Sequence, residues 1–229
     1  MTERTALLGN RRGRLIVSCQ AYPREPMLDP RTMTQVALAA VAGGAAAIRG
    51  KGLDDLRAMR PVIHVPLIGL IKRGSTGVFI TPTLADCLGV AATGCDVVAL
   101  DGTRRPRPDA LTLRDTIAAL REHHPNILVM ADCGSAGDAE AAVAAGADIL
   151  GTTLAGYTGE RPKTVGPDWE LVDQVVGLAD RPVFVEGRVH SPAQAAEAVR
   201  RGAWSVVVGT AITHPTTITG WFADAVAAA

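Results

Sequence analysis

The stretch AAVAAGADIL, residues 141–150, reads as the end of an alanine-rich helix, a glycine, one small residue and then an apolar, β-prone run. EAVRRGAWSV at 197–206 repeats the pattern, and VAGGAAAI at 41–48 and AATGCDVV at 91–98 are looser versions of it. The glycine stops the helix in a left-handed turn, and the small residue behind it lets the chain enter a sheet closely. Repeated use of this joint points to α/β crossover architecture. Open doubly wound sheets and closed barrels both use it, so the number of strands decides between them.

Eight apolar, β-prone runs can be read: Leu15–Ser18, Ala45–Arg49, Leu67–Ile71, Val97–Asp101, Ile127–Ala131, Asp148–Gly151, Val183–Glu186 and Ser205–Gly209. Their starts lie 30, 22, 30, 30, 21, 35 and 22 residues apart, the length of a strand, a loop, a crossover helix and a return. Eight such units predict a single (β/α)8 TIM barrel of parallel strands over residues 1–229, with residues 1–13 as an N-terminal extension or short cap. Helices fit between the runs. Pro30 opens one that Gly43-Gly44 closes, Asp54–Met59 is a short one, Thr83 caps Leu84–Ala92 and Thr112 caps Leu113–Glu122. Ser135 or Gly137 opens Asp138–Ala145, Pro167 and Asp168 start Trp169–Leu178, Ser191-Pro192 leads Ala193–Arg200, and a last helix follows Pro215.

Composition sets the class. A hydrophobic content of 48% supplies a core, and with 3% aromatics that core is built of Ala, Val, Leu and Ile, as buried parallel strands prefer. Twenty-three Lys and Arg balance 23 Asp and Glu without a basic stripe, which argues against a nucleic-acid partner. No apolar run has the length of a signal segment or a membrane span, so the expectation is a cytoplasmic protein with no membrane partner. Cys19, Cys87, Cys95 and Cys133 show no paired spacing and read as reduced thiols, with neither disulfide framework nor metal.

A barrel places its chemistry where the strands end. In order, those ends present Gln20, Arg49, Lys72, Asp101, Asp132, Thr152 or Thr153, Glu186 and Gly209. Lys72 follows the apolar PLIGLI, where desolvation lowers an amine's pKa toward that of a useful base; a rim lysine paired with an acid fits the same position. Glu186 follows RPVFV, and a dry setting raises its pKa; the alternative is a structural ion pair with Arg49 or Lys72. A base and an acid across one pocket suit removal of a proton from one face of a carbon and its return to the other. Gly187-Arg188 and Gly209-Thr210 occupy the two loops that bind phosphate in many barrels. Asp101 and Asp132 read as hydrogen-bonding groups toward substrate hydroxyls or Lys72, or as structural caps. TRRPRPD at 103–109 reads as a solvated or partner-facing loop, and His64, His123, His124 and His190 as surface residues. His214 differs, lying just beyond the Gly209 loop.

These segments together resemble one family. LIVSCQA at 15–21, GGAAAIRGKG at 43–52, PLIGLIKR at 66–73, ITPT at 80–83, VVALDGTRRPRP at 97–108, MADCGS at 130–135, DILGTTLAGYT at 148–158, VEGRVHSP at 185–192 and SVVVGTAIT at 205–213 resemble, in order, the N-acetylmannosamine-6-phosphate 2-epimerases. The resemblance covers about residues 14–224. It implies a cofactor-independent isomerase on a (β/α)8 barrel that interconverts N-acetylmannosamine 6-phosphate and N-acetylglucosamine 6-phosphate in amino-sugar and sialic-acid catabolism. It implies Lys72 and Glu186 as the catalytic pair, Gln20, Arg49 and Asp132 as groups that hold or orient the sugar, and Gly187, Arg188, Gly209 and Thr210 as the phosphate cradle. The implied partner is a small amino-sugar phosphate, with a homodimer left open. Two departures stand out: Gly74-Ser75-Thr76-Gly77 replaces an acidic, tyrosine-containing stretch, and His214 stands where the family commonly has arginine. A histidine there makes phosphate affinity pH-dependent. The competing readings are a Schiff-base aldolase using Lys72 and a non-catalytic sugar-phosphate-binding protein.

Overall fold

The computed structural model describes Gly9 and residues 12–178 and 180–229; of the expected N-terminal cap, residues 1–8, 10 and 11 lie outside the described residues. Strands and helices alternate along the chain. They are β1 (Arg14–Cys19), α1 (Pro30–Ala42), β2 (Ala47–Lys51), α2 (Leu53–Met59), β3 (Leu67–Leu70), α3 (Leu84–Ala91), β4 (Val97–Asp101), α4 (Leu113–His123) and β5 (Leu128–Asp132). There follow α5 (Ala136–Ala145), β6 (Ile149–Gly151), α6 (Trp169–Leu178), β7 (Val183–Glu186), α7 (Pro192–Arg200), β8 (Ser205–Val208), α8 (Thr210–Thr213) and α9 (Pro215–Ala227). The strands form one closed barrel in sequence order, and β1 closes it against β8 in parallel register, Val17 opposite Val208. The (β/α)8 barrel expected from the strand count is therefore the fold.

The local joints follow their residues. Thr83, Thr112, Ser135 and Ser191 each accept a hydrogen bond from a first-turn backbone N–H of the helix they cap. Asp29 caps α1 in the same way, from Thr32 N–H. Gly146 and Gly202 sit at φ +97° and +98°, the left-handed turns that the 141–150 and 197–206 repeats require. β2 runs two residues later than its apolar run, Asp132 completes β5, and α8 is a helix that the sequence reading did not place. Lys72 lies beyond β3 in a small hairpin: it pairs with Ile80 in an antiparallel bridge, and Arg73 N–H donates to Phe79 O across the 74–77 turn.

Strand alternation sorts the core into an inside and an outside. Val97 and Ala99 of β4 and Leu128 and Met130 of β5 join the cluster that also holds Ile16, Ala47, Ile68, Phe184 and Val207. Their neighbours Val98, Leu100, Val129 and Ala131 pack in the larger cluster with α-helix residues such as Met33, Leu56 and Ile117. Counting on by two from the inner set reaches Gln20, Arg49, Lys72, Asp101, Asp132, Glu186 and Gly209. The strand-end chemistry thus shares the parity of the barrel interior. All four cysteines are free and buried, and among the described residues no helix is long and apolar enough to cross a membrane.

Gly69 on β3 marks a close approach of barrel and helices. A Cβ there would stand 2.8 Å from Val90 Cγ1 and 3.0 Å from both Cys95 Sγ and Leu56 Cδ1. Gly69→Ala is expected to lower unfolding stability by about 1–3 kcal/mol through overpacking, read as a drop in urea midpoint at constant m. An unchanged midpoint would contradict the tight packing of α2 and α3 on β3.

Candidate active site

At the C-terminal end of the barrel, Arg49 of β2 reaches under the mouth and is 1% exposed. Its guanidinium grips Asp132 of β5 with two arms, Nη2 to Oδ2 at 2.6 Å and Nη1 to Oδ1 at 3.1 Å, and Nη1 also meets Glu186 Oε2 of β7 at 2.5 Å. A buried cation is tolerable only with such partners. Thr153 Oγ1 donates to Asp132 Oδ1 at 2.6 Å. The Glu186 backbone is pinned by Thr152, whose hydroxyl donates to Glu186 O and accepts from Glu186 N–H. Glu186 therefore stands on a fixed base with its carboxyl end facing a cavity of about 260 Å³.

Seven of the nine expected site residues line that cavity: Gln20, Lys72, Glu186, Gly187, Arg188, Gly209 and Thr210. Arg49 and Asp132 do not. They lie behind Glu186, bonded to each other and, through Arg49 Nη1, to that carboxylate, while Arg49 Nε is left without a partner. Burial, and after it the negative charge of Asp132, pushes the Glu186 carboxyl above its usual range against the pull of Arg49 and Lys72. Burial also lowers the pKa of Lys72, with help from Arg49, while Glu186 and Asp132 oppose. Both groups are thereby moved toward their neutral forms.

Gln20 is 8% exposed; its Nε2 donates to Ser18 Oγ at 2.7 Å, and its Oε1 has no partner. A buried acceptor left open at a cavity wall suits a donor on a ligand. Arg188 takes the left-handed conformation, φ +56°. Its guanidinium is held by Ala155 O at 2.8 Å, Gly166 O at 3.0 Å and Thr164 Oγ1 at 3.0 Å, and lies 5.4 Å from the Tyr157 ring centre. Arg188 thus braces the loop after β6. All its hydrogen-bond partners are uncharged, so its positive charge still acts on the cavity.

Several expectations change in the structure. Asp101 is sealed at the end of β4, accepting from Thr103 Oγ1 at 2.6 Å, Thr103 N–H at 3.1 Å and Arg105 Nη2 at 2.8 Å. It caps its own loop and touches neither Lys72 nor the cavity. The TRRPRPD loop is correspondingly built in. Arg107 is buried, bonding Asp101 O and Thr81 O, and Arg104 meets Asp138 and Glu160. His190 lines the cavity although sequence reading placed it on the surface alone. His214 turns Nε2 to the Glu25 carboxylate and Nδ1 to Thr217 Oγ1 at 2.6 Å. Of the strand-end alternatives Thr152 and Thr153 it is Thr153 that lines the cavity, and Tyr22 and Tyr157 line it without any strand-end signal. These are the chain's only tyrosines, and that scarcity was the available signal.

Comparison with known proteins points to one family. The sequence profile of the family described as "Putative N-acetylmannosamine-6-phosphate epimerase" matches residues 33–228. A Cutibacterium acnes protein named "Putative N-acetylmannosamine-6-phosphate 2-epimerase" is 55% identical over 221 residues, 96% of each chain. A Klebsiella pneumoniae protein of the same name is 47% identical over 220 residues, covering 95% of this chain and 91% of the other. The solved N-acetylmannosamine-6-phosphate 2-epimerase from Clostridium perfringens superposes with a TM-score of 0.89 at 39% identity over 93% of each chain. A thiamine phosphate pyrophosphorylase from Pyrococcus furiosus, 18% identical with a TM-score of 0.60, shares the fold alone. The profile match spans most of the barrel and the identities extend over nearly the full length: the chain belongs to the N-acetylmannosamine-6-phosphate epimerase family.

Proposed function

We propose that this protein interconverts N-acetylmannosamine 6-phosphate and N-acetylglucosamine 6-phosphate by moving a proton at C2, in amino-sugar and sialic-acid catabolism. The observation that carries the reading is an amine and a carboxyl, Lys72 and Glu186, facing one cavity, each pushed by burial toward its neutral form. C2 of the open-chain sugar adjoins the C1 aldehyde, so loss of its proton gives an enolate. One group takes that proton from one face; the other delivers a proton to the opposite face and inverts C2. The carbon's oxidation state does not change, so the chemistry asks for no redox partner.

The supporting residues fall into roles that their contacts favour. Arg49 and Asp132 act through Glu186, fixing its carboxyl and setting its proton affinity. Gln20, with its open Oε1, is placed to accept from a sugar hydroxyl or the acetamido N–H. Gly187, Gly209 and Thr210, with the charge of Arg188, form the phosphate end, and the phosphate serves as a handle remote from C2. The reading goes with a cytoplasmic enzyme.

Turnover of N-acetylmannosamine 6-phosphate, followed by proton NMR, tests this directly. Lys72→Ala and Glu186→Ala are each expected to lower kcat/KM by about a thousandfold while the far-ultraviolet spectrum stays native; a rate near wild type would clear that residue. The limbs of the pH profile of kcat/KM are expected to lie closer together than the roughly 4.3 and 10.4 of free glutamate and lysine, since the carboxyl is raised and the amine lowered. Limbs at those free values would contradict the electrostatics of the site. Borohydride added with substrate is expected to leave Lys72 unmodified; reductive trapping on it would favour the Schiff-base aldolase instead.

A further inference from the structure

The segment between β1 and α1 crosses the cavity mouth and ties together two groups that stand far apart in sequence. Tyr22 lies in it and lines the cavity. Two ammonium groups stand over its ring: Lys51 Nζ lies 4.8 Å and Lys72 Nζ 5.1 Å from the centroid. Lys72 Nζ also donates to the Tyr22 hydroxyl at 3.4 Å. Burial raises the phenol's pKa, so the hydroxyl stays neutral beside the amine. The backbone of Tyr22 is clasped in turn: its N–H donates to Glu25 Oε2 at 2.5 Å, and its carbonyl accepts from Glu25 N–H at 3.0 Å. The other carboxylate oxygen of Glu25 meets His214, between α8 and α9, whose ring also stands edge-on to the Tyr22 ring at 5.8 Å.

We infer that Tyr22 is a positioning residue for Lys72, held over the cavity by a strap whose anchor is the Glu25–His214 pair. This rests on the proposed role of Lys72 as a proton-transfer group and extends it to the residue that fixes the amine. On this reading His214 serves the strap. His214 also lines the cavity; its Nδ1 pairs with Thr217 Oγ1 at 2.6 Å, and its Nε2 lies against the Glu25 carboxylate, so the ring is turned toward the strap. The exposed Gly74–Gly77 turn offers Lys72 no side-chain partner, and the ring of Tyr22 supplies that contact from the other side of the mouth. An aromatic face attracts the charged amine and gives it a direction, more weakly than a paired carboxylate would.

Two readouts separate positioning from mere stability. The first is the pH dependence of acetic anhydride labelling of Lys72 in the substrate-free protein, quantified by mass spectrometry. It does not depend on what reaction the protein catalyses. The groups facing the amine are Tyr22, Arg49, Glu186, Asp132 and Tyr157, and Lys51 shares the Tyr22 ring. Tyr22→Leu removes the aromatic face that favours the charged amine and leaves an apolar side chain in its place, so the labelling midpoint is expected to move down, while Tyr22→Phe keeps the ring and the wild-type midpoint. The second readout is kcat against KM for N-acetylmannosamine 6-phosphate. Tyr22→Leu is expected to lower kcat about tenfold with KM within about twofold, and Tyr22→Phe to recover most of the loss. Glu25→Gln loosens the anchor and is expected to lower kcat in the same sense, again with little change in KM.

Unchanged labelling in Tyr22→Leu, or no rescue by Tyr22→Phe, would overturn the positioning role. A His214→Asn variant that raises KM with kcat intact would return His214 to the phosphate and overturn the anchor. Failure of the wild-type protein to turn over the sugar phosphate would fell the epimerase reading alone, and the labelling series would still decide the strap.

Discussion

Arg49 heads the fully buried side chains by size, and a guanidinium in that position is tolerable only because two carboxylates meet it there. The three groups come from β2, β5 and β7, so the contact spans the barrel mouth and exists only when the sheet closes. Removing either acid would leave a buried cation short of a partner, and removing the cation would set two carboxylates against each other. The same contact fixes the one member of the triad that faces the cavity. Glu186 is held by Arg49 at its carboxylate and by Thr152 along its backbone, so its carboxyl has a defined direction.

Burial then shapes the chemistry of the pair. Glu186 and Lys72 are both drawn partly out of solvent, and each charge costs more there than at the surface. The carboxyl holds its proton more tightly and the amine less tightly, which narrows the gap between acid and base. A gap so narrowed is what transfer in both directions requires, because neither form is trapped as a stable ion. Arg49 and Asp132 tune that balance from underneath, one pulling the carboxyl's affinity down and the other pushing it up.

The fold was legible because its signals are local and repeated. Helix, glycine, small residue and apolar run recur, and eight runs admit a closed barrel, with Val97–Asp101 and Val183–Glu186 bounded in sequence as they are in space. The cavity-lining residues were legible for a related reason: alternate positions of a barrel strand face inward, and the residue at its end inherits that face. What escaped was partnership across the mouth. Asp101 has the parity of a site residue, yet Thr103 and Arg105 two and four positions later close over it, a loop conformation that no periodicity encodes. The Arg49–Glu186 ion pair is one of the alternatives that the strand ends allow, but the two-armed grip of Arg49 on Asp132, 83 residues away, is not legible there. Tyr22, Glu25 and His214 form a strap only when β1 meets β8, and none of them stands at a strand end.

The central claim, that two groups on opposite sides of one carbon exchange its proton, is tested most directly by running the reaction in heavy water and reading C2 of both sugars by NMR and mass spectrometry. The expected result is N-acetylglucosamine 6-phosphate carrying one deuterium at C2 from the first turnovers, while unreacted N-acetylmannosamine 6-phosphate remains largely protonated at early times. Product that keeps the original C2 proton would contradict it, because the proton removed by one group would then be the one returned.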